Sequence, residues 1–119
     1  MWIDTHCHLN DPVFREDYPA VIERARQSGI DRLVVVGFDM DSSQEAVRLA
    51  GEYEMVYAAV GIHPHDAKTW TPQAAETLRR LLGEAKVVAL GEIGLDYYYD
   101  YSPRADQIEA FQAQLRIAK

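Results

Sequence analysis

The sequence predicts an α/β fold built on a parallel sheet, and three observations carry that expectation. Short apolar segments at Trp2–Thr5, Arg32–Val36, Val56–Gly61 and Val87–Leu90 each precede an amphipathic stretch. The steps from Ile3 to Leu33, Leu33 to Val56 and Val56 to Val87 are 30, 23 and 31 residues. Each step is the length of a strand, a crossover helix and two short loops. The segments Leu33–Val36 and Val87–Leu90 are also apolar at consecutive positions, the pattern of strands covered on both faces. The result is four successive βα units.

The helices carry their own start and stop signals. The first is expected over Tyr18–Ser28 and ends at Gly29. Ser42 and Glu45 have the spacing of a capping box for the second. Thr71-Pro72 and Ser102-Pro103 each set a capping hydroxyl before a proline at the first helical position, which opens the third and fourth helices. Ala75, Leu78 and Leu82 then share one helix face, and Ile108, Phe111 and Leu115 another.

The chain has 119 residues, 48% of them hydrophobic and 26% charged, which suits one folded domain over residues 1–119 and argues against disorder. No apolar run approaches the length needed to span a bilayer. The opening Met1-Trp2-Ile3-Asp4 lacks the basic start and apolar stretch of a signal peptide. A lone Cys7 cannot form an internal disulfide and suits a reducing compartment. A cytoplasmic protein without membrane association is therefore expected. The net charge of −7 excludes the basic footprint of a sequence-independent polyanion binder. It does not exclude a phosphodiester substrate, because a bound divalent metal reverses the local sign.

Three constellations could carry chemistry. Asp4, His6 and His8 lie at i, i+2 and i+4, so a regular strand would present them on one face, about 6.5 Å apart along it. Two imidazoles at that spacing can converge on a metal, with Asp4 behind them as an orienting partner; surface histidines are the competing reading. Cys7 would face the other way, as a buried, inert thiol. Gly91-Glu92-Ile93-Gly94-Leu95-Asp96 follows an apolar run, and parallel folds place ligands at that strand edge. Glu92 is thus either a bridging carboxylate or a turn residue. In His63-Pro64-His65 the proline stops the ladder, leaving both histidines in a loop. His63 is placed to touch a phosphate or a metal-bound water, and His65 reads as a loop residue. Tyr97, Tyr98, Tyr99 and Tyr101 could stack bases, although packing over the sheet end is the preferred reading.

Taken together, the segments Ile3–Asn10, Gly61–His65 and Gly91–Tyr98 resemble the TatD family of metal-dependent hydrolases, and Gln107 and Phe111 fall where that family's following helix carries a glutamine and a phenylalanine. The resemblance implies a TIM-like (β/α) barrel with its site at the C-terminal strand ends. It implies that His6 and His8 bind one divalent ion and that Glu92 is shared between two, with Zn, Mn or Mg as the ions. Glu92 and His63 become the catalytic candidates, His63 through substrate contact. The implied activity is DNA phosphodiester hydrolysis, as a deoxyribonuclease of exonuclease type, with DNA or another phosphoester as substrate.

A complete barrel needs about 250 residues, so the chain is expected to form the N-terminal half, about four βα units. The family's remaining half carries two further histidine ligands and an aspartate. The isolated chain is accordingly expected to be inactive. Two alternatives stand beside this reading. One is another HxH amidohydrolase or phosphoesterase, against which Gly91–Tyr98 argues. The other is a non-catalytic half-barrel that binds a partner or self-associates through open sheet edges.

Overall fold

The computed structural model describes all residues from Met1 to Lys119. Four strands, β1 (Trp2–Cys7), β2 (Ile30–Val36), β3 (Val56–Val60) and β4 (Val87–Leu90), alternate with helices α1 (Tyr18–Gln27), α2 (Met40–Glu52), α3 (Pro72–Leu82) and α4 (Arg104–Ala118). Short 3-10 segments at Pro12–Phe14 and Pro64–Thr69 follow β1 and β3. All strand pairs are parallel, in the order β1-β2-β3-β4. The predicted four βα units are therefore present, and every strand points its C-terminal end at the same edge.

The core lies between the sheet and the first two helices. Leu33, Val35, Val56 and Ala58 from the strands meet Ile22 of α1 and Ala46, Leu49 and Ala50 of α2. A smaller cluster joins Val60 to Leu78 and Leu81 of α3. Consecutive burial holds for β3 and for the end of β2 but fails for β4, where Val88 is 57% exposed. The reason is position: β4 is an edge strand, with β3 as its sole partner. No helix is long and apolar enough to cross a membrane.

Helix ends follow the sequence signals in part. Gly29, at φ +88°, ends α1 in a conformation that costs glycine little. Thr71 caps α3 as expected, its hydroxyl accepting from the Ala74 amide at 3.0 Å. The capping box of α2, however, is Asp39 with Ser42 rather than Ser42 with Glu45. The helix starts one turn earlier because an aspartate carboxylate at Asp39 accepts from the Ser42 amide while the Ser42 hydroxyl accepts from the Asp39 amide. Glu45 instead accepts from the Tyr18 hydroxyl and pairs with Arg48. Ser102 does not cap α4 either. Its hydroxyl donates to the His65 carbonyl and accepts from the Lys68 amide.

The face α4 buries is also not the predicted one. Gln107, Ala110 and Gln114 are buried, whereas Ile108 and Leu115 are 41% and 47% exposed. Gln114 explains the choice. Its Oε1 accepts from the Ile62 amide at 2.8 Å and its Nε2 donates to the Ile62 carbonyl at 3.0 Å, so both polar groups of Ile62 are satisfied by one side chain. Ser43 does the same for Gly61: its hydroxyl accepts from the Gly61 amide and donates to the Gly61 carbonyl, both at 3.1 Å. Ser43 reaches there by crossing Gly37, where an added Cβ would lie 2.2 Å from the Ser43 Oγ.

Two outcomes follow for stability and reactivity. Ser43→Ala strands a buried N–H and C=O, so urea unfolding followed by circular dichroism should show a loss of about 2 kcal/mol; a loss below about 0.5 kcal/mol would show that water replaces the hydroxyl. Cys7 packs against the core beside Phe14, Val21 and Ala25, and burial pushes its thiol up to about 11. Because the thiol stays protonated until the pH nears that value, iodoacetamide at pH 8 should alkylate native Cys7 at least about tenfold more slowly than the urea-unfolded chain. Equal rates would place the thiol at the surface.

Candidate metal centre

The C-terminal strand ends bring together residues from three separate loops. His6 and His8 come from β1 and the turn after it, His63 and His65 from the segment after β3, and Glu92 and Asp96 from the segment after β4. Cross-strand hydrogen bonds fix these loops relative to one another. The His63 amide donates to the Phe38 carbonyl at 2.7 Å, the Gly91 amide to the Val60 carbonyl at 2.8 Å, and the Glu92 amide to the Gly37 carbonyl at 2.8 Å.

Asp4, His6 and His8 do not share one strand face. The β1–β2 register pairs Asp4 with Leu33 and Cys7 with Val35, so β1 carries an extra residue between Asp4 and Cys7. Asp4, Cys7 and His8 line one hollow, beside Phe14, Val21 and Ala25 of the α1 side, whereas His6 does not reach it. Asp4 accepts from the backbone amide of His6 at 3.1 Å and touches neither imidazole. The orienting partner of His8 is a backbone group: its Nδ1 lies 3.2 Å from the Val36 carbonyl. A carbonyl only accepts, so Nδ1 carries the proton and Nε2 presents a lone pair.

That lone pair faces the others. The Nε2 atoms of His6 and His8 are 3.3 Å apart, and Glu92 Oε2 lies 3.6 Å from the first and 3.8 Å from the second. The three donors form a potential metal-holding group. Ligands about 2.1 Å from a common ion stand roughly 3.0–3.4 Å apart, so a triangle of this size closes on a divalent cation after small rotations. Two imidazole nitrogens and a carboxylate are also the donor set that zinc, manganese and related ions accept.

His63 is not a fourth donor of this set. Its Nδ1 accepts from the His65 amide at 3.1 Å, which leaves the proton on Nε2 of the neutral ring, 4.0 Å from Glu92 Oε1. Burial, with the neighbouring His65, pushes the His63 pKa down, which favours that neutral ring. His63 thus offers an N–H donor to the cleft rather than a lone pair.

His65, read from sequence as a plain loop residue, is a junction. Its Nε2 lies 2.6 Å from Asp96 Oδ2, and the other Asp96 oxygen accepts from the Tyr98 and Tyr99 amides. Desolvation pushes the Asp96 carboxyl up, but those two amides and His65 outweigh it and hold it below its ordinary range. Gln107 completes the tie by accepting from the Asp96 amide and donating to the Asp96 and Ser102 carbonyls. Asp-Tyr-Tyr had the signature of an aspartate-led turn, which was the available signal for Asp96. Nothing local announces its histidine partner 31 residues earlier.

A cleft of about 400 Å³ is lined by His8, Asp11, Phe38, His63, His65, Asp66 and Glu92. It contains three carboxylates and no lysine or arginine. Asp66 is pushed above its ordinary carboxylate value by burial and by the charge of Asp39. An anion enters such a cleft only together with a cation.

The family model for TatD related DNases matches residues 3–119. An uncharacterized metal-dependent hydrolase of Bacillus subtilis, YabD, is 44% identical over 119 residues, covering 100% of this chain and 47% of the relative. The 3'-5' ssDNA/RNA exonuclease TatD of Cronobacter sakazakii is 40% identical over 115 residues, covering 97% of this chain and 44% of the relative. The crystal structure of YjjV, a TatD homolog from Escherichia coli K12, superposes with a TM-score of 0.90 at 37% identity, over 99% of this chain and 46% of that one. A TatD family hydrolase of Entamoeba histolytica shares the fold at a TM-score of 0.85 and 23% identity. The chain spans about half the length of these relatives, and its strands and helices match the N-terminal half of their barrels. With the family model covering residues 3–119 and the fold of a family structure matched over 99% of the chain, the chain belongs to the TatD family of metal-dependent hydrolases.

Proposed function

We propose that this chain supplies one side of the catalytic centre of a metal-dependent nuclease that hydrolyses DNA phosphodiester bonds, acting from a strand end. The observation that carries the reading is the convergence of His6 Nε2, His8 Nε2 and Glu92 Oε2 within 3.3–3.8 Å of one another. It stands in a cleft whose side chains would otherwise repel a phosphate. Relatives named as 3'-5' exonucleases on single-stranded DNA and RNA support the substrate class.

His6, His8 and Glu92 would hold a divalent ion, and Glu92 would share a second. Bound there, such ions polarise a phosphoryl oxygen and make water acidic enough to attack at neutral pH. The Val36 carbonyl keeps His8 in the tautomer that can ligate. His63 holds its proton on Nε2, where it would donate to a phosphoryl oxygen as charge develops. The carboxylates of Asp11 and Asp66 deter anions from entering without the cations. The remaining ligands and the water-activating aspartate would come from polypeptide outside these 119 residues, and the isolated chain would bind metal without turning over.

Two measurements test this. In calorimetric titration with Zn²⁺ or Mn²⁺, His8→Ala and Glu92→Ala should each weaken binding by about tenfold or more while the thermal transition stays within a few degrees. Unchanged affinity in both variants would remove the triangle from the metal site. In the second, residues 1–119 are joined to the C-terminal half of the Bacillus subtilis relative. That chimera should degrade a single-stranded oligodeoxynucleotide, the chain alone should not, and Glu92→Ala should silence the chimera. Turnover by the chain alone would overturn the claim that its site is partial.

A further inference from the structure

The four tyrosines after Glu92 do not pack over the sheet end. Tyr97 is 44% exposed, Tyr98 85%, and Tyr99 and Tyr101 57% each. Yet the loop that carries them is firmly built. Gln107 and Ser102 tie its backbone from beneath, Asp96 closes the turn at Tyr98 and Tyr99, and Arg104 pairs with Asp100 while lying 4.4 Å from the Tyr97 ring. Tyr99 and Tyr101 are held parallel, with centroids 5.2 Å apart and planes 12° apart. Exposed aromatic surface on a rigid support is unusual unless something covers it.

The rings are also continuous with the cleft. His63 meets His65 at 4.3 Å, and His65 meets Tyr101 at 4.8 Å and Tyr99 at 5.8 Å, each edge to face. A row of rings therefore leads outward from the Glu92 side of the cleft to the paired tyrosines. Beside a site for a phosphodiester, flat π surfaces of this kind match nucleobases. The charge of the chain points the same way. At −7, with no cationic side chain lining the cleft, phosphate attraction cannot supply general affinity for a strand. Stacking is the sequence-tolerant alternative, and it requires unpaired bases.

We propose that His65, Tyr99 and Tyr101 form a stacking platform for nucleobases of a single-stranded substrate next to the metal-binding cleft. The proposal rests on the nucleic-acid reading of that site, but it concerns binding and can be tested without hydrolysis. The platform takes bases through ring faces and selects single strands over duplexes, because a base inside a duplex has both faces covered by its stacked neighbours.

The test is an NMR titration in EDTA, following the ring protons of Tyr99 and Tyr101. The probes are a single-stranded decamer of mixed sequence, the same sequence as a duplex, and an abasic decamer with equal phosphates. Expected are ring-proton shifts with the base-bearing single strand and an affinity about tenfold or more above the abasic one. Tyr99→Leu with Tyr101→Leu should abolish the difference, and the paired Phe variants should keep it. Equal affinity for the base-bearing and abasic strands, binding of neither, or a preference that survives the Leu variants would each overturn the platform. Where the Leu variants fail to fold, the wild-type comparison and the Phe pair decide. Loss of hydrolysis in the metal-loaded chimera, with the base-dependent binding intact, would fault the nuclease reading alone.

Discussion

The site depends on how the end of β3 is satisfied. Where strand pairing gives out at Gly61 and Ile62, two amides and two carbonyls would be left in the protein interior. Each such group costs about 1–3 kcal/mol if unpaired. Ser43 from α2 takes both groups of Gly61, and Gln114 from α4 takes both groups of Ile62. These bonds pin two helices to one strand end. The neighbouring strand ends are pinned in turn, since the Gly37 carbonyl accepts from the Glu92 amide and the Phe38 carbonyl from the His63 amide. Glu92 and His63 thus hang from backbone whose position is set by buried side chains rather than by loop preference.

The same economy explains why α4 turns its amides inward. A helix normally docks its apolar stripe, and α4 has one in Ile108 and Leu115. Burying that stripe would gain apolar area but leave the amides and carbonyls of Ile62 and Asp96 and the Ser102 carbonyl without these partners. Gln107 and Gln114 answer all three, and both are essentially inaccessible to solvent. Polar satisfaction here outranks hydrophobic patterning. The consequence reaches the surface, because Gln107, which helps close the interior, also fixes the loop from Asp96 to Ser102.

These facts mark what was legible in the sequence. The four βα units were, because apolar segments and crossover lengths are local and periodic. His6, His8 and Glu92 were also legible as residues, through their motifs, and the structure brings their donor atoms together. Their geometry was not. The extra residue in β1 breaks the alternation between Asp4 and Cys7, and no sequence pattern reports a bulge. Ser102 and the α4 stripe misled for one reason: each obeys a local rule that a distant backbone group overrides; Ser42 was displaced by a neighbouring side chain. Asp39 competed for the cap of α2, and the His65 carbonyl drew Ser102 away from α4. The orientation of His8 rests on a carbonyl 28 residues away. Sequence names a backbone carbonyl at every position and so distinguishes none.

The acidity of the chain then acquires a physical sense. On the proposed reading, a cleft lined by Asp11, Asp66 and Glu92 would favour a cation over a lone phosphate and would take the two together. Asp66 is pushed up by burial first and by the charge of Asp39 second. Placing lysines there would attract phosphate directly, but those cations would compete with a metal for the same carboxylates. Excluding them leaves His63, a neutral ring with its protonated Nε2 4.0 Å from Glu92 Oε1, as an N–H donor lining the cleft. A neutral donor can meet a phosphoryl oxygen without repelling the cation beside it. On the proposed nuclease reading, separating these tasks between carboxylates, neutral imidazoles and aromatic rings would let an acidic surface accommodate an anionic polymer.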